Sequence, residues 1–90
     1  MDQNMRQRMI DRHIEAQLEM WVDLDNRYRH FETLSDEEVK RQRWRLKAIG
    51  RSIQGNARRI LERIERWNVT VPADVKETLE MDLVLNIEEM

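Results

Sequence analysis

Two glycines and one proline in ninety residues leave this chain almost no place to break a helix, so it must form few and long elements. The apolar pattern agrees. Ile10, Ile14, Leu18, Trp21, Leu24, Tyr28 and Phe31 follow one another at spacings of four, four, three, three, four and three. Those spacings trace one face of an amphipathic helix. The remaining faces carry Glu15, Glu19, Asp23, Asp25, Arg27 and Arg29, with Asp23 to Arg27 and Asp25 to Arg29 as favourable i,i+4 pairs. The pattern predicts a first helix over residues 4–32.

The clearest local signal is Leu34-Ser35-Asp36-Glu37-Glu38-Val39. Ser35 can accept from the amide of Glu38 while the Glu38 carboxylate reaches back to the amide of Ser35, which is a capping box, and Leu34 and Val39 can close over it as a hydrophobic staple. Asp36 and Glu37 suit the positive end of the helix dipole. From there Val39, Leu46, Ile49, Ile53, Ala57, Ile60, Ile64 and Trp67 continue one stripe, which predicts a second helix over residues 36–67. Only Thr33 to Ser35 join the two, so they should fold back as an antiparallel hairpin. Asn68 to Val71 end the second helix, and Pro72 is placed to open a third. Val75, Leu79, Leu83, Ile87 and Met90 recur at helical spacing, although Met81, Leu83, Leu85 and Ile87 also alternate as a strand would. The expectation is a third helix over 73–87. The whole reads as one all-α domain: a long antiparallel helical hairpin plus a shorter C-terminal helix. Trp21, Trp44 and Trp67 need more cover than that third helix supplies, so a dimeric bundle is expected.

A chain of this length buries only roughly 60 to 65% of the surface its unfolded form exposes, so its core is thin. Without cysteine, disulfides cannot reinforce that core, and neither a thiolate metal site nor a cysteine nucleophile is available. Residues 1–10 carry no apolar run of the signal-peptide kind. The longest apolar runs, Met20-Trp21-Val22 and Leu83-Val84-Leu85, fall far short of the ~20 residues of a membrane helix. The expectation is a cytoplasmic protein with no membrane partner.

Charge layout carries more information than net charge, which is only −2. Residues 1–35 hold five basic and seven acidic side chains, residues 36–67 ten and five, and residues 68–90 one and six. Lys40, Arg41, Arg43, Arg45, Lys47, Arg51, Arg58 and Arg59 fall within 40–59 with no acid among them. Such a segment attracts an acidic protein face or a polyanion, unless the acidic C-terminal segment pairs with it or the face is merely solvated. The residues expected to contact a partner are Arg41, Arg45, Arg51, Arg58 and Arg59, because the planar guanidinium makes two charge-assisted hydrogen bonds to a carboxylate or phosphate. An alternative uses Gly55 as a turn and Asn56 as the cap of a recognition helix, so that residues 40–66 bind nucleic acid as a helix-turn-helix variant. The contrasting reading is one continuous helix in which Ala48, Gly50, Ser52 and Gly55 are small to admit a crossing element, or are tolerated.

Enzymatic chemistry finds little support. His13 and His30 are the only histidines, and about five helical turns separate them by roughly 25 Å. Neither has the company of ligands that a zinc site uses. The acidic row Glu15, Glu19 and Asp23 lacks an accompanying Glu-x-x-His motif, and no phosphate loop or GxSxG elbow occurs. An active site built from Arg12, Arg51, Arg58 and Arg63 between subunits is the residual enzymatic reading. The sequence therefore points to a non-enzymatic interaction protein without metal or cofactor, self-associating, with a protein partner expected and nucleic acid as the runner-up.

Overall fold

In the computed structural model, which describes residues 2–90, the chain forms two long helices, a short third helix and two single 3-10 turns, with no strand among the described residues. Helix α1 spans Gln3–Arg29, α2 spans Asp36–Trp67 and α3 spans Ala73–Leu83. The molecule measures 51 × 22 × 19 Å, the shape of a hairpin. Contacts between α1 and α2 run in opposite senses: Gln3 meets Trp67 and Gln17 meets Ile53. That is the expected antiparallel hairpin.

The capping box forms as the sequence predicts. Glu38 N donates to Ser35 Oγ at 3.3 Å, and Ser35 N donates to Glu38 Oε2 at 3.4 Å. Both anticipated i,i+4 ion pairs are also present, Asp23 with Arg27 at 3.1 Å and Asp25 with Arg29 at 2.8 Å. Two helix ends differ from expectation. Instead of reaching residue 32, α1 stops at Arg29 and a 3-10 turn, Phe31–Thr33, follows. In that turn Phe31 packs against the buried group of Leu24, Leu46 and Ile53. The third helix ends at Leu83, not at residue 87. Beyond it Leu85 and Met90 fold onto that same buried group, and Ile87–Glu89 is a 3-10 turn. Asn68 closes α2 in the left-handed region, with φ of 52°, a conformation that asparagine tolerates better than most residues.

The apolar interior is in two parts. Ile10, Ala57, Ile60, Ile64, Val69 and Leu79 form one, at the end where α3 packs. Leu24, Leu46 and Ile53 form the other, covered by Met20, Trp21, Phe31, Ile49, Leu85 and Met90. A buried polar group unites all three helices. Gln17 Nε2 donates to the backbone carbonyl of Ile53 at 2.7 Å and to Asp82 Oδ2 at 3.1 Å, and Trp21 Nε1 donates to Asp82 Oδ1 at 3.1 Å. Gln17 and Asp82 are both fully buried. Two further glutamines act as straps: Gln54 Nε2 donates to the carbonyls of Leu83 and Leu85, and Gln7 exchanges hydrogen bonds with the backbone of Thr70 in both directions.

The glycines resolve the question posed by residues 50–56, since α2 runs unbroken through both and the turn at Gly55 does not form. They serve different ends. Gly50 is buried beneath the chain terminus, and a Cβ there would lie 2.6 Å from Met90 Sδ and 2.9 Å from Ile87 Cδ1. A Cβ at Gly55 would meet only Arg59 Nη2, at 3.9 Å.

Two stability predictions follow from this packing. Replacing Asp82 by alanine removes the acceptor shared by buried Gln17 and half-buried Trp21 and should cost about 1–3 kcal/mol in chemical denaturation; an unchanged midpoint would show that the network does not hold α3 in place. Gly55→Ala should stabilise the chain by about 0.5–1 kcal/mol through helix propensity. Gly50→Ala should fall short of that gain, because Met90 and Ile87 must shift to admit the methyl group.

Candidate interaction surface

The three tryptophans have three different fates. Trp21 is half-buried and donates to Asp82. Trp67 is flanked by two guanidinium groups, with Arg6 Cζ at 5.9 Å and Arg63 Cζ at 5.7 Å from its ring, within the reach of cation–π attraction. Trp44 receives no such cover and is 73% exposed.

Helix geometry explains the difference. At about 100° per residue, Trp44 points away from the buried stripe of Leu46, Gly50, Ile53, Ala57 and Ile60. The C-terminal segment adds no cover, since it reaches α2 at Gly50 and Ile49. The tip of the hairpin is thus a bare two-helix arm. An open groove of about 610 Å³ lies there, lined by Leu34, Glu38, Arg41, Gln42, Trp44 and Arg45. On its far side a second depression, lined by Asn26, Arg27, His30, Leu34 and Gln42, shares two of those residues.

All five arginines singled out from the sequence are exposed: Arg41, Arg45, Arg51, Arg58 and Arg59. Arg41, Arg51, Arg58 and Arg59 share the face of Trp44, opposite the core, and Arg45 lies on its flank. Between them run Ala48, Ser52 and Gly55, which leave the face shallow. Arg59 is steered by its own helix, donating to Asn56 Oδ1. The acidic C-terminal segment does not neutralise this surface. Among the described residues the ion pairs are the two within α1, and Glu88 and Glu89 are exposed. The tail docks through Ile87 and Met90, by apolar contact.

Sequence reasoning singled out the arginines and gave no place to Trp44, which the structure leaves exposed among them. The signal was present: Trp44 falls outside the stripe of Val39, Leu46, Ile49 and Ile53, and an aromatic residue out of phase with its helix's core face is left to solvent. Within one chain, Arg12 lines a depression with Met5, Arg8 and Met9, whereas Arg63 lines a separate one with His13 and Arg59. His13 and His30 lie apart as expected. His30 Nδ1 is 2.6 Å from the carbonyl of Asn26, whereas His13 faces α2, with Nδ1 at 3.3 Å from Arg63 Nη1. Burial first, then the charges of Arg63 and Arg59, hold the His13 imidazole below its ordinary pKa. No group of three or more His, Asp or Glu side chains with metal-holding geometry occurs among the described residues, and none of their helices is long and apolar enough to cross a membrane.

Comparison with models of protein families, with curated proteins and with solved structures found no match to this chain.

Proposed function

We propose that this chain is a non-enzymatic interaction protein, of the adaptor, inhibitor or small regulatory kind, that binds an acidic protein surface through the exposed face of α2. The observation that carries the reading is Trp44, exposed between Arg41 and Arg45 on a groove at the free end of the hairpin. Tryptophan and arginine are the residue types that most often dominate binding energy at protein interfaces. An exposed indole gains by burial what it forgoes in water, and the surrounding guanidinium groups select carboxylates. The shallow centre at Ala48, Ser52 and Gly55 lets a partner helix approach closely, with its acidic flanks against Arg41, Arg45, Arg51 and Arg59. A protein partner is favoured over nucleic acid because α2 is uninterrupted and carries no separate recognition helix after Gly55.

The second part of the proposal is self-association through the other side of the molecule. Leu18 and Val22 are 53% and 59% exposed, one turn apart on α1. Leu18 also borders a groove of about 200 Å³ between α1 and α3, whose apolar lining includes Ile14, Val75 and Leu79. A second copy laid on this side would cover it while leaving Trp44 free.

Immobilised wild-type chain should capture a partner from lysate that a Trp44→Ala/Arg45→Ala variant loses, with binding weakened by about 2 kcal/mol or more. Arg58→Ala/Arg59→Ala should lose about 1 kcal/mol per broken contact. Helicity by circular dichroism should stay intact in both, and Glu15→Gln/Glu19→Gln on α1 should bind normally. If capture vanishes with nuclease and falls steeply with salt, the face reads nucleic acid instead; if neither arginine variant weakens capture, the surface lies elsewhere. For self-association, light scattering at micromolar concentration should give about twice the 11.1 kDa chain mass, and Leu18→Glu/Val22→Glu should return it to one chain. A wild-type species of single-chain mass would remove the dimer.

A further inference from the structure

At the edge of the basic face, where α1 crosses α2, lies a small pocket with its own chemistry. Its lining is His13 and Ala16 from α1 and Asn56, Arg59, Ile60 and Arg63 from α2, around about 110 Å³. Arg63 is held in two ways: its guanidinium lies over the Trp67 ring at 5.7 Å, and its Nη1 is 3.3 Å from His13 Nδ1. A guanidinium only donates, so the neutral imidazole accepts at Nδ1 and keeps its proton on Nε2. Asn56 Oδ1 accepts from Arg59 and turns that side chain toward the same place. Arg59 and Arg63 are one helical turn apart, a spacing at which like charges repel. No carboxylate lines the pocket from either helix, and α3 contributes nothing to it. The burial and positive charge that depress His13 come from this same arrangement.

We propose that this pocket binds a tetrahedral oxyanion of the phosphate class, held by the guanidinium groups of Arg59 and Arg63 with His13 as the third donor. The shared chemistry is a phosphate dianion, free or as the head of a phosphomonoester; the pocket admits one such group and leaves any attached molecule outside. The anion supplies the missing negative charge between two fixed guanidinium groups, the geometry in which arginine makes its strongest hydrogen bonds. It also reverses the situation of His13. In the empty pocket, protonation adds a third positive charge and breaks the acceptor contact with Arg63. With an anion present, the imidazolium gains a partner. Binding of the dianion is therefore coupled to proton uptake at His13, while protonation of the ligand itself below its second pKa, about 6 for a phosphomonoester, opposes binding.

The chain's two histidines allow a direct test, because exposed His30 is an internal reference. NMR titration of both imidazoles, with inorganic phosphate against chloride at equal ionic strength, should show phosphate raising the His13 midpoint and leaving His30 in place. Glycerol phosphate should do the same if the pocket accepts monoesters, whereas a response to inorganic phosphate alone assigns the site to the free ion. Arg59→Gln and Arg63→Gln should each weaken the phosphate response about tenfold, the value of one charge-assisted contact. Arg63→Gln by itself relieves repulsion on His13, so the readout is the dependence on phosphate and not the starting midpoint. Arg59 is exposed, so its variant keeps the test open should Arg63→Gln disturb Trp67. Equal shifts of both histidines, or a full response in Arg59→Gln, would overturn the proposal. Since the ligand is a small ion, the outcome is independent of whether α2 captures a macromolecular partner.

Discussion

Asp82 is the point at which three helices are fastened together, and much of the architecture depends on it. Its two oxygens accept from side chains of α1, and one of those, Gln17, reaches on to the backbone of α2 at Ile53. A buried carboxylate is costly unless its lone pairs are used, and here the cost is offset only in one relative placement of α1, α2 and α3. Apolar packing tolerates sliding. The hydrogen bonds of Gln17 and Trp21 do not, so they set how far along the hairpin α3 lies. A thin core of this kind needs such a device, because burial alone supplies little beyond the entropy lost on folding.

Once α3 is placed, the rest of the cover is decided. The chain beyond Leu83 turns back with Gln54 bonding its carbonyls, and Met90 comes to rest over Gly50. None of these residues covers the tip of the hairpin, where Trp44 is exposed. The exposure of Trp44 is therefore a consequence of where Asp82 anchors α3, together with the phase of Trp44 on its helix. The basic face owes its free state to the same cause: the acidic tail is drawn to apolar contacts around Gly50, on the other side of α2 from Arg41, Arg51 and Arg59.

The arginines of this chain fall into two kinds. Those on the outer face of α2 are solvated and serve as a surface. Arg6 and Arg63 instead spend their charge on Trp67, and Arg63 reaches His13 as well. Cations over an aromatic face remain cations, so the neighbourhood of His13 stays positive without any carboxylate to balance it. The charge of a side chain was plain from the sequence, but whether it was shared with a ring, a histidine or water depended on which helices crossed.

Much of the fold was determined locally. The capping box at Ser35, the two ion pairs of α1, the extent of α2 and the reversal between the long helices all rest on residues within a few positions of one another, and such interactions act wherever the chain goes. Tertiary structure decided the remainder. Phe31 lies beyond the end of α1 and Leu85 and Met90 lie beyond the end of α3, and all three pack on the buried group of Leu24, Leu46 and Ile53. Gln17 and Asp82 read as ordinary polar residues until 65 positions of separation closed between them. The isolated segment favoured a continuous helix but left a turn at Gly55 open; burial of Ile53, Ala57 and Ile60 along one stripe of α2 accompanies the helix that forms. Local chemistry determined the elements, and the pairing of distant residues determined which surfaces were left exposed.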